Sequence, residues 1–409
     1  MRLLICITAI TLFSCTKPTN SISNKDIEFK AYVYTYGEAL DVGITEQSLI
    51  VAANYQGYIV YDINRNNQGD IIAIDSIFNA IDMASDMGDN RAQDITVSQN
   101  HELAFITDRY DRIWLYKLNE TADQYVDNYL QDCYGGTWLS TAIDDREDHI
   151  NVFSLVQHVS SEDEEGGSVG DFDAYSTSIV WKRLTNINSS DILPELDSSP
   201  SCEFTYNFNI LPRTIDFNNG ILAISYGELG VKILKQTENS ICLDDDNVML
   251  DNFIPTGDIA ADKTICEQEY DENYNPGLSG NYEPSGGFYP YVYSSFDLPG
   301  EVDALLVRDS IIFAGLTTSN GCYMSLLGTN GVISDKLSFA QGYSINNLSE
   351  DNNILALSAG HDGVLVYKRD GISLNYIGQI STPYSNNVKV DGNNVIISTE
   401  DGLYIYLIK

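Results

Sequence analysis

Seven residues that stand at the same point of an internal repeat are the first candidates for chemistry in this sequence. Each precedes an apolar segment by about eight positions, and they are Asp41, Asp94, Thr141, Arg213, Asp303, Asn346 and Asn387. The carboxylates of Asp41, Asp94 and Asp303, joined by the two amides, could hold Ca²⁺, which takes oxygen ligands. Alternatively, these side chains cap the backbone of tight turns and Arg213 pairs with an Asp.

A second candidate is the pair His361-Asp362, which follows one of the apolar segments. At the mouth of a channel, such a pair could act as a general base. A lone His beside a turn Asp usually has a structural role, and the sequence contains no G-x-S-x-G, H-E-x-x-H or P-loop motif. We therefore assign no catalytic residue, and His361 and Asp362 remain the alternative for an enzyme.

The charge of the chain restricts its partners. With 59 acidic and 22 basic residues among 409, the formal net charge is −37, which disfavours binding to nucleic acid or to an anionic membrane surface. The turns after the apolar segments add Asn54, Tyr55, Asp108, Arg109, Tyr110, Tyr226, Glu228, His361, Asp362, Glu400 and Asp401. Such a surface suits a basic partner, a cationic ligand or a metal-bridged glycan. The alternative is that the charge serves solubility and that the acidic runs are solvated loops.

These residues are positioned by a repeat of short strands. Six apolar strands align, beginning at residues 49, 103, 221, 311, 354 and 395, and a degraded seventh copy lies at about residues 141–181. The last copies recur with a period of about 40 residues, which is typical of propeller blades with four strands each. Because the aligned strands are apolar on both faces, each must pack between two neighbouring sheets.

The two ends of the repeat region predict how the ring closes. Residues 31–36 resemble an outer strand but follow no earlier repeat, and the chain has no outer strand after Tyr406. We therefore predict an all-β fold, a seven-bladed β-propeller over residues 27–409, in which the N-terminal strand completes the last blade. This arrangement leaves no open sheet edge, whereas an open solenoid would need capping repeats.

The strand-turn-strand units resemble a known family. Leu49-Ile-Val-Ala-Ala with Gly57-Tyr-Ile-Val-Tyr-Asp62, and Ile354-Leu-Ala-Leu-Ser with Gly363-Val-Leu-Val-Tyr, are similar to the LVIVD-repeat β-propellers of exported and lipid-anchored bacterial proteins. The resemblance covers roughly residues 27–409. It implies the fold, but the family has no shared activity or catalytic motif to transfer to this chain.

The first residues have the pattern of a processing signal. After Arg2 and an apolar run, Leu12-Phe13-Ser14-Cys15 resembles the lipobox of bacterial lipoproteins. This resemblance implies a signal peptide at 1–14, a lipidated Cys15 and a flexible tether at 15–26; the alternative is an ordinary secretory signal. With Thr16 after the Cys, the resemblance implies the outer membrane of a Gram-negative bacterium, facing either the periplasm or the surface.

The cysteines predict one disulfide. Export makes disulfides possible, and Cys242 and Cys266 share a long insertion at about 236–290, which should lie in the fourth blade on the face opposite the repeat starts. Cys322 lies in an apolar strand and is the residue that we expect to be unpaired. The pairing of Cys133 and Cys202 stays open.

Taken together, these features predict a lipid-anchored, exported propeller that works as a binding or scaffold module. We expect a monomer that binds a protein or glycan at its acidic face, with no nucleic acid and with membrane contact through the lipid anchor alone. No cofactor is required, although the acidic ring could bind Ca²⁺. The alternative is a Ca²⁺-dependent, lactonase-like propeller hydrolase that uses the same ring.

Overall fold

The computed structural model is a ring of seven four-stranded antiparallel sheets, and the predicted seven-bladed β-propeller is confirmed. Within a blade, consecutive strands pair from the centre outwards. The structure describes residues 25–54, 57–79, 92–108, 112–117, 129–131, 137–159, 175–185, 195–196, 212–236, 241–243, 261, 264–266, 281–283, 294–328 and 331–409.

The first four blades contain the following strands, given from the innermost to the outermost. Blade 1 consists of β2 (Asp41–Ile44), β3 (Ser48–Ala52), β4 (Tyr58–Arg65) and β5 (Ile71–Asn79). Blade 2 consists of β6 (Ala92–Ser98), β7 (Leu103–Asp108), β8 (Arg112–Lys117) and β9 (Tyr129–Gln131). Blade 3 consists of β10 (Thr137–Asp145), β11 (Ile150–Val159), β12 (Tyr175–Thr185) and β13 (Glu195–Leu196). Blade 4 consists of β14 (Ile215–Asn218), β15 (Ile221–Ser225), β16 (Val231–Lys235) and β19 (Ser294–Phe296).

The remaining three blades follow the same plan. Blade 5 consists of β20 (Val302–Arg308), β21 (Ile311–Leu316), β22 (Cys322–Leu327) and β23 (Ile333–Phe339). Blade 6 consists of β24 (Asn347–Asp351), β25 (Ile354–Ser358), β26 (Val364–Asp370) and β27 (Ser373–Ile380). Blade 7 consists of β28 (Ser385–Asp391), β29 (Asn394–Thr399), β30 (Gly402–Ile408) and β1 (Ile27–Val33).

The N-terminal strand β1 closes the ring as predicted. It pairs antiparallel with the C-terminal strand β30, from Ile27 opposite Ile408 to Val33 opposite Leu403. The strand begins at Ile27 and ends at Val33, so Tyr34 and Tyr36 lie on the connection to blade 1 rather than in the strand. The innermost strands contact one another in the order β2, β6, β10, β14, β20, β24 and β28, and β28 contacts β2.

The core is divided among the seven gaps between blades. Each gap holds one cluster of buried apolar side chains drawn from the two blades that border it. In β3, for example, Leu49 and Val51 pack towards blade 7, whereas Ile50 and Ala52 pack towards blade 2. Because side chains alternate between the faces of a strand, a second strand between two blades must be apolar at every position. Burial on both faces therefore explains the uninterrupted apolar runs in the sequence.

The propeller has two faces, which differ in the turns that they carry. We call the face on which the innermost strands begin the top face; it also carries the turns between second and third strands. The opposite, bottom face carries the turns from first to second and from third to outer strands. A 3₁₀ turn at Gly227–Leu229 lies between β15 and β16, on the top face.

The glycine before the third strand is required for two reasons. Gly363 has a φ of 75°, a left-handed conformation that side chains disfavour. In addition, a Cβ atom on Gly363 would overlap the carbonyl oxygen of Ile380, the last residue of the outer strand in the same blade. The same overlap would occur in three other blades, between Gly230 and Phe296, Gly321 and Phe339, and Gly402 and Val33.

The long insertion joins the third and outer strands of blade 4. It contains a two-stranded sheet of β17 (Ile241–Leu243) and β18 (Asn281–Glu283), with helical residues at 261 and 264–266. Cys242 and Cys266 form a disulfide there, with Cα atoms 5.5 Å apart, as predicted. Cys322 is a free and fully buried thiol, and burial raises its pKa.

Candidate functional site

The polar residues at the repeat starts bond across the gaps between blades. Asp41 accepts hydrogen bonds from its neighbour Val42 N–H at 2.6 Å and from Ile95 N–H of blade 2 at 2.7 Å. Asp94 in turn accepts from Thr141 N–H of blade 3 at 3.0 Å. The innermost strand of a blade has one unpaired edge, and a carboxylate of the preceding blade satisfies part of that edge.

The same pattern continues along the innermost strands towards the bottom face. Blade 6 bonds to blade 7 at every second residue, because alternate side chains of β24 point to the same gap. The acceptor and donor pairs are Asn347 Oδ1 with Val388 N–H (3.2 Å), Ser349 Oγ with Val390 N–H (2.9 Å) and Asp351 Oδ2 with Gly392 N–H (2.7 Å). Asp216 of blade 4 likewise accepts from Val307 N–H of blade 5 at 2.6 Å.

The sequence-based alternative for the ring was that these side chains cap the backbone of their own tight turns. The main donors are not in the turns that carry the acidic residues but in the next blade. Asp41 and Ile95 lie more than 50 residues apart in the chain, so the pairing exists only when blades 1 and 2 pack against each other.

Asp41 and Asp94 form a pair of carboxyl groups at the centre of the ring. The pKa of Asp94 is raised well above its usual value because the group is buried and because Asp41 adds both a like charge and a hydrogen bond. The amide of Thr141 and the cation of Lys389 oppose this rise without cancelling it. Asp94 thus holds a proton to a higher pH than an exposed carboxyl group does.

Asp94→Asn is expected to raise the free energy of unfolding at neutral pH by on the order of 1 kcal/mol. Asn keeps an acceptor for Thr141 and a donor for Asp41 but carries no charge. Since the folded pKa of Asp94 is raised, its contribution to stability is complete below the unfolded pKa of about 4 and is lost as pH rises through the folded pKa. Urea unfolding of the wild-type protein and of Asp94→Asn at a series of pH values would measure this effect. The difference between their free energies of unfolding should grow from acidic to neutral pH.

The matched control for this prediction is Asp303→Asn. Asp303 is partly exposed and accepts from Arg213, so its neutralisation should lower stability slightly at neutral pH. A difference between wild type and Asp94→Asn that stays constant across the pH range would contradict the raised pKa.

The other ring residues lie in separate groups. Arg213 of blade 4 contacts Asp303 and Glu301 of blade 5, each at 2.9 Å, as the sequence-based alternative allowed for an Asp. Asn346 donates to the backbone oxygens of Ser385 and Asn386. The amide oxygens of Asn346 and Asn387 have no donor within the part of the chain that the structure describes.

The ring does not fit the predicted three-carboxylate calcium site. In the described residues, no three His, Cys, Asp or Glu side chains converge in a way that could hold a metal ion. Asp41 and Asp94 are brought together, but their oxygens accept backbone donors, and Asp303 is engaged by Arg213 in another part of the ring. A cation at this ring would have to displace hydrogen bonds that join the blades.

His361 lies on the top face, as expected, in the turn between β25 and β26. Its ring packs edge-to-face against Tyr384, with ring centroids 4.7 Å apart. The neighbouring Asp362 shapes the turn, since its amide donates to Ala359 and its backbone oxygen accepts from Gln379. These contacts place both residues in turn structure, and a role as a general base stays a prediction.

Several ion pairs lie towards the bottom face. They include Arg65 with Asp391, Arg146 with Asp144, Arg369 with Glu350, and Lys30 and Lys409 with Glu28. The two lysines lower the pKa of Glu28 to about 2. At the top face, the turn acids Glu38, Glu400 and Asp401 form no ion pair with any Lys or Arg that the structure describes. The top face therefore keeps carboxylates that are not neutralised.

Sequence reasoning missed the exposed tyrosines beside these acids. Residues 31–36 were predicted to be a strand, but Tyr36 has a φ of 59° and belongs to a turn. Tyr34 and Tyr36 are 58% and 60% exposed. The signal that could have found them is Gly37, which directly follows the tyrosine-rich segment and favours a turn. Several other predicted top-face residues, among them Tyr55, Arg109, Tyr110 and the acidic loops, lie outside the described residues, as does Cys15.

Comparison with known proteins identifies the fold of this chain but assigns it to no family. No protein-family profile and no curated protein matches the chain. Among solved structures, the chain is similar to the WD40 repeats of RRP9, with a TM-score of 0.51 and 10% identity over 94% of this chain and 98% of that one. It is also similar to U3-55K, with a TM-score of 0.50 and 10% identity over 93% and 98%. At this identity the likeness concerns the fold alone. In the described part of the chain, no helix has the length and apolar character to cross a membrane.

Proposed function

We propose that this protein is an exported, lipid-anchored β-propeller that acts as a binding or scaffold module and holds a basic partner at its top face. The observation that carries the proposal is the group of three top-face carboxylates, Glu38, Glu400 and Asp401, that lie beside exposed tyrosines without an ion pair among the described residues. Bottom-face acids such as Asp391 and Glu350 are matched by arginines, whereas Glu38, Glu400 and Asp401 at the top are not. Carboxylates left without cations on one face attract a cationic partner.

The export and anchoring part of the proposal has a separate basis. The lipobox-like Leu12-Phe13-Ser14-Cys15, the tether at 15–26 and the resemblance to LVIVD-repeat propellers support it. Delivery to the outer membrane of a Gram-negative bacterium is part of the same proposal. Radiolabelled palmitate incorporated by the wild-type chain and absent from a Cys15→Ala variant would support lipidation, and equal labelling of both would refute it.

The binding part is tested with charge-matched variants. The top-face variant carries Glu38→Gln, Glu400→Gln and Asp401→Asn. The control carries Glu46→Gln, Asp309→Asn and Asp370→Asn, three exposed acids at the bottom face, in turns or at a strand end. Both variants change the net charge equally, so long-range attraction falls equally in the two.

We expect a hexa-arginine peptide to bind the wild-type protein at physiological salt and to lose roughly tenfold in affinity for the top-face variant. The bottom-face control should change the affinity less than about twofold. Calorimetry of the soluble chain 25–409 measures all three. Equal losses in both variants would show nonspecific attraction by net charge, and an absence of binding to the wild-type protein would refute the proposal.

A further inference from the structure

The connection that follows the closing strand presents tyrosine rings to solvent. Tyr32 is the last but one residue of β1, and Tyr34 and Tyr36 lie just beyond the strand on the top face; we call these three residues the aromatic surface. Their exposed fractions are 43%, 58% and 60%. The rings of Tyr34 and Tyr36 meet edge-to-face with centroids 5.0 Å apart, which leaves ring faces open. Core packing therefore does not account for these side chains.

The backbone holds this connection in one conformation. Thr35 Oγ1 donates to Gly37 O at 2.7 Å, and the phenol of Tyr61 in blade 1 donates to Tyr34 O at 3.3 Å. Tyr36 has a left-handed φ of 59°, which a bulky side chain disfavours and glycine tolerates. The chain thus keeps an exposed tyrosine where glycine would be the more stable residue. Rigid aromatic side chains lose little conformational freedom when they bind a partner.

Carboxylates surround the aromatic surface. Ala39 N–H donates to Thr399 O at 3.0 Å, which brings Glu38 next to the turn that contains Glu400 and Asp401. The phenol of Tyr32 donates to Asp401 O at 2.5 Å and that of Tyr404 to Asp401 Oδ2 at 3.1 Å. The pKa of Tyr404 is raised to about 12, first through burial and then through Asp401. The environment of the rings is therefore negative.

The charge and the exposed rings of the aromatic surface indicate which class of ligand it binds. A polyanion and a second copy of this chain are both repelled by a net charge of −37. A neutral sugar could stack on the rings and donate its hydroxyl groups to the carboxylates, but it would leave their negative charge without a counterion. An arginine side chain uses both features, since its guanidinium stacks on an aromatic face and donates in a fork to a carboxylate.

We propose that the aromatic surface, with Glu38 and Asp401, docks an arginine of a basic segment in a partner protein, with the guanidinium stacked on Tyr34 and Tyr36. This inference rests on the proposed function and names the part of the top face that recognises the partner. Glu38 is positioned for this role by Asn54, whose amide donates to it at 2.9 Å. The tyrosines supply selectivity for arginine over lysine, because a planar cation stacks better than an ammonium group.

The test uses Tyr36→Gly, a variant that removes the ring without straining the backbone. Its stability should equal or exceed that of the wild-type protein, while its affinity for the hexa-arginine peptide should fall roughly 3- to 30-fold. Tyr36→Phe keeps the ring and should bind like the wild-type protein. The matched control is Asn219→Gly, which relieves a φ of 50° at an exposed position of a bottom-face turn and should leave the affinity unchanged.

The outcomes separate this inference from the proposed function. If Tyr36→Gly and Tyr34→Ala bind hexa-arginine as well as the wild-type protein while the top-face charge variant does not, the aromatic surface is not the docking site but the proposed function stands. Equal affinity for hexa-lysine and hexa-arginine would overturn the stacking geometry. Binding of neutral maltohexaose that depends on Tyr36 would replace the basic segment with a glycan as the occupant. No peptide binding by the wild-type protein would remove both proposals.

Discussion

Gly363→Ala is expected to destabilise the propeller by about 3 kcal/mol. An alanine at a φ of 75° is strained by itself, and its Cβ would also overlap the carbonyl oxygen of Ile380. Ile380 is buried at the end of the outer strand in blade 6, so it cannot move without disturbing the gap to blade 7. Urea unfolding at equilibrium would measure the loss as a lower midpoint with an unchanged slope.

Gly371→Ala in the same blade separates the two causes. Gly371 also has a left-handed φ, 60°, but a Cβ there would meet no atom within 4 Å. We expect this substitution to cost about 1 kcal/mol, the backbone strain alone. If the two substitutions cost the same, the close approach between the turn and the outer strand has no energetic importance.

Removal of the closing strand is expected to have the second large effect. A chain that begins at residue 34 lacks β1, which leaves β30 as an open edge and exposes apolar residues such as Leu403 and Ile405. We expect a loss of about 3 kcal/mol or more and self-association through the free edge. Thermal unfolding and sedimentation velocity would measure the two effects.

A chain that begins at residue 25 is the control, since it keeps β1 and the contact between Lys409 N–H and Asp26 O. It should melt at a higher temperature than the chain that begins at residue 34. A synthetic peptide of residues 26–36, added to the shortened chain, should restore stability as its concentration rises. An unchanged melting temperature without β1 would mean that the ring does not depend on this closure.

The blades could be predicted from the sequence because each second strand carries its own signal. In residues 49–52, successive side chains face different gaps between blades. Because both faces of the strand are buried, all four consecutive residues must be apolar, and this run is visible in the sequence. The closing strand was predictable because the first strand of the chain has no earlier blade to join, and the last blade lacks an outer strand. The first strand therefore supplies the fourth strand of the last blade. The disulfide between Cys242 and Cys266 followed from their presence in a single insertion.

The candidate site was predictable only in part. Polar residues at the repeat starts were identified, but the sequence suggested a shared cation, whereas Asp41 and Asp94 accept donors of the next blade. The aromatic surface was missed because a run of alternating tyrosines has the pattern of a strand. The strand β1 ends at Val33 because β30, its pairing partner, extends no further than the residues opposite it.

What the sequence by itself determined is therefore local: strand positions, their two-faced burial, the number of blades and the acidic charge. The tertiary structure alone decided which donor Asp41 meets, which atom a side chain on Gly363 would overlap, and which acids lie beside the exposed tyrosines. These properties depend on contacts between residues that are distant in the chain, such as Arg65 with Asp391. The bond of Asp41 to Ile95 forms when blades 1 and 2 pack, whereas the pair of Arg65 and Asp391 forms only when the ring closes and brings the first and last blades together.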